Sequence, residues 1–273
     1  MSECGTYSSR WGRPVYLLSS LLCVICLPLW LLGKIAGLWL VLAVLLRVLL
    51  IPLGSLVAAS GIFGRVLLFG PTDKPLVALT FDDGPDPQTT PRVLAVLASH
   101  QVRATFFVIG ERAARHPELL RQLVAAGHQV ENHSHRHSWA TAFGPTERLV
   151  RELSSAQQVI EQAGAPRPRY FRAPIGILSP PIVAAVRKLD LQLVGWTAKA
   201  RDGWASTTVS AAVSRLERSL RPGAILLLHD AGEPLTGQQA ARATIAPEVL
   251  QQLLPRLRER GLSAVTLDEL LRQ

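Results

Sequence analysis

The sequence predicts an α/β fold: a parallel sheet closed or nearly closed into a barrel, wrapped by helices and preceded by an apolar helical segment. From residue 75 short apolar runs alternate strictly with amphipathic stretches, the pattern of linked β-α-β units. Several apolar runs end in Asp, Arg or His, as strand ends converging on a barrel rim do. Composition also changes near residue 70, before which charged residues are sparse.

Strands are expected near 76–81, 104–109, 128–132, 169–173, 191–196, 224–229 and 263–266. Helical periodicity lies between and after them, near 90–99, 111–126, 146–163, 179–189, 207–221, 245–260 and 266–272. Seven strands suit a barrel, with an open doubly wound sheet as the alternative. The length of 273 residues allows one or two domains, and no internal repeat or low-complexity tract is present.

Residues 1–70 read as a membrane anchor. Val15 to Gly33 is almost wholly apolar, and a second apolar stretch from Ile35 to Gly64 is interrupted by Arg47 and loosened by Pro52, Gly54 and Gly61. Each is long enough to cross a hydrocarbon layer of about 30 Å at about 1.5 Å per residue. One or two transmembrane helices are expected, with membrane lipid as a partner. A cleaved signal peptide is the alternative, with Val57-Ala58-Ala59 as its processing site. The apolar region exceeds the roughly 7–15 residues of a signal core, which favours a retained anchor. Charge leaves the side of the membrane open: residues 1–70 carry net +4 and the remainder net +5. Arg10 and Arg13 favour a cytoplasmic N-terminus. The remainder contains no basic run, so no nucleic-acid partner is expected. Cys4, Cys23 and Cys26 all precede residue 70, so the rest of the chain forms no disulfide.

Chemistry concentrates at four strand ends. Thr80-Phe81-Asp82-Asp83-Gly84-Pro85 presents adjacent carboxylates where an apolar strand breaks into a turn. Two such groups repel unless a proton, cation or metal separates their roles, although an ordinary acidic turn fits these six residues as well. Asn132-His133-Ser134-His135-Arg136-His137 holds three of the seven histidines. As a helix this segment places His133 and His137 on one face and turns His135 away. With one carboxylate, two imidazoles make a His-His-Asp metal set with open positions; a polar surface helix is the competing reading. Tyr170 to Gly176 and Ala224 to Asp230 carry an Arg and a His-Asp pair out of apolar runs, where burial without partners is costly. His100, His116 and His128 read as structural, and Glu131, Asn132 and His135 as supports around the ligands.

In this order the four segments resemble the polysaccharide deacetylase family, carbohydrate esterase family 4, also called the nodulation-protein-B homology domain. The resemblance covers roughly residues 75–270 and rests on Thr-Phe-Asp-Asp-Gly-Pro, His-Ser-x-x-His, Arg-x-Pro-x-Gly and Leu-x-His. It implies a distorted (β/α) barrel of about seven parallel strands, with the catalytic domain over 71–273.

The resemblance also implies roles. Asp82 is the catalytic base, and Asp83, His133 and His137 hold a divalent metal, zinc in most members and cobalt or nickel in some. Such an ion polarises the acyl oxygen and makes the attacking water more acidic. Arg172 pairs with Asp82, and its loss is expected to harm turnover more than folding. The Ile175 N–H serves the oxyanion, Pro174 belongs to the same substrate-facing motif, and Leu227 lines the acyl pocket. His229 is the general acid, tuned by Asp202. Two departures stand out: Lys199 occupies a position that is commonly Asp, and Ile175 one that is commonly aromatic. Stacking on sugar rings then falls to Trp204 or Trp139. The implied activity is removal of an N-acetyl or other N-acyl group from an amino sugar of a polysaccharide or peptidoglycan-like glycan, at a bacterial inner membrane. Alternatives are a deacylase of a lipid-linked sugar and a catalytically lapsed glycan-binding membrane protein.

Overall fold

The computed structural model describes residues 6–7, 11–138, 143–204, 206–232 and 244–272. β1 (Thr6–Tyr7) lies antiparallel to β2 (Leu67–Phe69), and between them run α1 (Gly12–Leu31) and α2 (Gly37–Leu56). Both helices are long and apolar enough to cross a membrane by length and composition, and few of their residues are buried. Pro52 does not end α2, which continues to Leu56. Arg47, the one charge in α2, donates through one nitrogen to the Tyr16 hydroxyl and stacks over the Tyr16 ring at 3.6 Å.

β3 (Leu76–Asp82) is the central strand of a parallel sheet. On one side follow β4 (Thr105–Val108), β5 (Gln129–Asn132), β6 (Tyr170–Phe171) and β7 (Gln192–Leu193). On the other lie β9 (Ile225–His229) and then β8 (Ala198–Lys199), while β10 (Ser263–Val265) pairs with the first half of β3. These strands curl into a partial barrel rather than an open doubly wound sheet. The β8 pairing was not expected, because two residues carry no readable periodicity. The gap between the outer strands is filled by β2. The Gly195 N–H donates to Leu67 O at 2.8 Å, the Thr197 hydroxyl to Leu68 O at 2.9 Å, and the Gly70 N–H to Gly223 O at 2.7 Å. Residues 62–69, placed above in the N-terminal segment, are thus built into the barrel.

Helices α3 (Thr90–Ser99), α4 (Gly110–Arg115), α5 (Pro117–Ala125), α6 (Thr146–Gln162), α7 (Pro180–Lys188), α8 (Val209–Glu217), α9 (Ala246–Glu259) and α10 (Leu267–Leu271) alternate with the strands. The single helix expected over 111–126 is divided at His116, whose backbone is non-helical because Pro117 follows it. Side-chain alternation along each strand sorts the core. Val77, Leu79 and Phe81 of β3 join Phe106, Leu226 and Leu228 beneath the outer helices. Ala78, Phe107, Tyr170 and Ile225 point into the barrel, where Leu67 of β2 also packs. A third cluster joins α6 and α7 to the N-terminal segment through Leu50, Ile62, Phe63, Leu153 and Ile182.

Candidate active site

The same alternation delivers the polar groups. Residues two apart share a face, so the parity that places Ala78 and Ile225 inside also carries Thr80, Asp82, Leu227 and His229 inside. Pairing of β3 with β9 sets Thr80 opposite Leu227 and Asp82 opposite His229. Arg172 follows Tyr170 by two and enters the same space from the end of β6. A cavity of about 180 Å³ opens at the C-terminal ends of these strands, lined by Asp82, Asp83, His133, His137, Leu227 and His229.

His133 and His137 converge, but not through a helix. The segment is an irregular loop in which Ser134 (φ 66°) and His137 (φ 54°) are left-handed. Local hydrogen bonds impose that shape: the Ser134 N–H donates to Asn132 Oδ1 at 2.8 Å and the His137 N–H to Ser134 Oγ at 3.0 Å. The two side chains thus come together through loop backbone and not through the expected helical spacing. His135 does not line the cavity; its ring lies against Gly110, and its carbonyl accepts from the Glu111 N–H.

Asp83 stands 3.4 Å from His133 Nε2 and 3.1 Å from His137 Nε2, both through Oδ1. That oxygen is buried and takes no hydrogen bond. His133 Nδ1 donates to Arg172 O at 2.8 Å, which aims Nε2 at Asp83; burial opposes a charge on this ring, but the Asp82 and Asp83 carboxylates raise its pKa. Burial pulls His137 down to about 4, so its ring is neutral at pH 7. Burial alone would raise the Asp83 carboxyl, but His133, His137 and His229 together hold it below the usual carboxylate range. One carboxylate oxygen and two imidazole nitrogens lying within 4.8 Å of one another fit a divalent cation.

Asp82 borders this cluster, its Oδ2 lying 3.9 Å from His133 Nε2, while Arg172 holds its other oxygen. The Arg172 guanidinium donates through one nitrogen to Asp82 Oδ1 at 2.7 Å and to Thr80 Oγ1 at 2.9 Å, and through the other to Gly195 O at 2.9 Å. It also stacks 4.1 Å from the Phe107 ring. Arg172 is 1 % exposed, so it is a core ion pair as much as an active-site group.

His229 closes the opposite side. Its backbone N–H donates to Asp202 Oδ2 at 2.9 Å and its Nδ1 to Asp202 Oδ1 at 2.8 Å. Burial opposes the imidazolium, yet Asp202, with Asp83 and Asp82, pushes its pKa up to about 10. Asp230, next in sequence, is a different case. Burial pushes its carboxyl up to about 7, and it sits against Gly84, where a Cβ would lie 2.1 Å from its Oδ2.

Of the substrate-facing expectations, Ile175, Leu227 and Trp204 line the cavity. Ile175 is left-handed (φ 49°), costly for a β-branched residue, and no hydrogen bond among the described residues uses its N–H. Pro174 is not on the wall; it opens the short 3-10 turn Pro174–Gly176, and Ala173 and Gly176 line the cavity instead. Trp139 lies outside the described residues. The sequence did not point to Trp196 and Arg201 as walls, because loops carry no periodicity to place them. Nor did it point to Arg112, which donates to Asp83 O and Gly232 O and so ties two loops together.

Residues 69–194 match the family model described as polysaccharide deacetylase. A chitooligosaccharide deacetylase of a Bradyrhizobium species is 40% identical over 197 residues, 71% of this chain and 90% of that protein. A peptidoglycan-N-acetylglucosamine deacetylase of Bacillus cereus is 34% identical over 204 residues, 74% of this chain and 91% of the other. Among solved structures, a family 4 acetyl xylan esterase from Clostridium thermocellum in complex with a cobalt ion superposes with a TM-score of 0.64 at 36% identity, covering 71% of this chain and 89% of that one. Identity of this degree over nine-tenths of a relative, on a shared barrel, makes this chain a member of the polysaccharide deacetylase family, carbohydrate esterase family 4.

Proposed function

We propose that this chain is a metal-dependent hydrolase that removes an N-acetyl or other N-acyl group from an amino sugar of a glycan, anchored to a membrane by residues 1–70. The observation that carries it is the convergence of the buried Asp83 Oδ1, which takes no hydrogen bond, with His133 and His137, while Asp82 and His229 line the same cavity beside them. Asp83, His133 and His137 would hold a divalent ion, zinc by donor set, with cobalt or nickel also compatible. When bound, such an ion supplies Lewis-acid polarisation of the acyl oxygen and lowers the pKa of water.

The chain's own residues do the rest. Arg172 orients the Asp82 carboxylate, ready to accept the proton of an attacking water. Attack turns the acyl carbon tetrahedral, and the free Ile175 N–H is a donor for the oxygen that gains charge. His229, carrying a proton because Asp202 stabilises its charge, gives that proton to the amine as the C–N bond breaks. Leu227 supplies an apolar wall that suits a small acyl group. Relatives named as deacetylases of chitooligosaccharide and of peptidoglycan N-acetylglucosamine support an amino-sugar amide as the bond cleaved.

The test is acetate release from acetylated chito-oligosaccharides by the full chain in detergent. Release is expected to need added zinc or cobalt after chelation and to fall at least about a thousandfold in Asp82→Asn, the scale of losing a general base with its oriented water. Release that persists after chelation, or in Asp82→Asn, would overturn the proposal.

A further inference from the structure

A second cavity of about 290 Å³, lined mostly by apolar side chains together with Arg172 and Lys199, adjoins the catalytic one. Its floor includes Leu56, Val57, Ala58 and Ala59, the residues by which the chain leaves α2 and enters the catalytic domain. Ala173, Ile175, Gly176, Trp196 and Lys199 wall both cavities, so the two spaces lie side by side around these residues. At about 30 Å³ for each water-sized group, the second cavity takes on the order of ten carbons. Its position follows from packing. The Leu178 N–H donates to Ser55 O at 2.9 Å, and Gly12, at the start of α1, abuts the backbone of Ser60 to Ile62. The adjoining ends of the two apolar helices therefore meet the mouth of the site.

Two cations stand on the rim of the catalytic cavity. Lys199 Nζ lies 5.5 Å from the Trp196 ring and Arg201 5.2 Å from the Trp204 ring. Both are exposed, and neither has a carboxylate partner among the described residues. Apolar lining continuous with apolar helices, beside unpaired positive charge, matches an amphiphile with an anionic junction between head and tail.

Given the deacylase reading, on which this rests, we infer that the substrate is membrane-borne: an N-acylated amino sugar joined through phosphate to a long hydrocarbon chain. The sugar occupies the catalytic cavity, Lys199 and Arg201 meet the phosphate, and the first carbons of the chain lie against residues 56–59 on their way to the bilayer.

Binding of farnesyl phosphate to the full chain in detergent micelles, read by calorimetry, tests this without turnover. Farnesol, inorganic phosphate and N-acetylglucosamine 1-phosphate form the control arms. Farnesyl phosphate is expected to bind at least tenfold more tightly than each control. Its affinity is expected to fall at least tenfold in Lys199→Glu/Arg201→Glu and in Ala59→Trp, which fills the second cavity, with variant folding checked by melting. Equal binding of farnesyl phosphate and farnesol, or of farnesyl phosphate and inorganic phosphate, would overturn it, as would unchanged affinity in both folded variants. Acetate release from chito-oligosaccharides without preferential farnesyl phosphate binding sinks this inference alone; no acetate release from either chito-oligosaccharides or N-acetylglucosamine joined to farnesol through phosphate sinks the deacylase reading.

Discussion

Asp202 grips His229 with both carboxylate oxygens, one on the backbone N–H at 2.9 Å and one on Nδ1 at 2.8 Å. The first bond fixes where the residue sits and the second fixes which ring nitrogen carries the exchangeable proton toward the cavity. Since Asp202 holds the His229 pKa near 10, Asp202→Asn is expected to cut turnover by about ten- to a hundredfold and to move the alkaline limb of the pH–rate profile downward. Kinetics from pH 6 to 11 check both. An alkaline limb unmoved by Asp202→Asn would remove Asp202 from this role.

The same pair predicts a stability profile. A histidine whose folded pKa is raised stabilises fully below its unfolded value, near 6.5, and that contribution disappears as pH rises through about 10. Melting temperature should therefore fall across that window in the parent chain and stay flatter in His229→Gln, by thermal scans in matched buffers.

Arg172 carries more than turnover. The sequence suggests that its loss harms activity more than folding, but a guanidinium 1 % exposed with three hydrogen-bond acceptors is part of the core. Arg172→Met strands the Asp82 carboxylate and is expected to cost about 3–5 kcal/mol. Arg172→Met/Asp82→Leu, which removes both charges, should recover at least half of that loss in denaturant titration. No recovery would mean that packing, not the stranded charge, dominates.

Asp230 should make stability fall with pH. Its folded pKa near 7 lies above the unfolded carboxylate value, so between about 4 and 7 the native state binds more protons than the unfolded one. Stability then declines as pH rises through that window, by on the order of a few kcal/mol. Asp230→Asn, which keeps an acceptor for the Thr90 hydroxyl, should make the decline shallower and leave the share of Glu131, whose buried carboxyl is also raised to about 7; a pH series of melting curves decides.

Metal binding should be measurable as folding stability. Divalent ion at about a hundred times its dissociation constant adds about 2.7 kcal/mol, and for a domain of this size that is several degrees of melting temperature. The rise is expected in the parent chain and not in Asp83→Ala or His133→Ala. Equal gains in all three would place the ion elsewhere.

Much of this architecture is legible in the sequence because it depends on periodicity. The run at 76–81 becomes β3, and its two-residue repeat already separates Phe81 from Asp82 on opposite faces. Motif residues at strand ends were likewise readable, and Asp82, Arg172 and His229 meet as expected. The rest depends on contacts distant in sequence or on loop backbone. Gly195 O and Thr80 Oγ1 complete the Arg172 cradle across long separations, and positive φ at Ser134 and His137 has no apolar pattern to announce it. Lys199 and Trp196 acquire meaning only once two cavities are seen to share them.

β2 behaves like the last stave of a cask. A soluble form trimmed at residue 70, where composition changes, would discard Leu67, wholly buried, and leave the backbone of Gly195 and Gly223 facing water. Any excision of the apolar helices should start upstream of Ile62, so that the stave stays attached to the piece it holds shut.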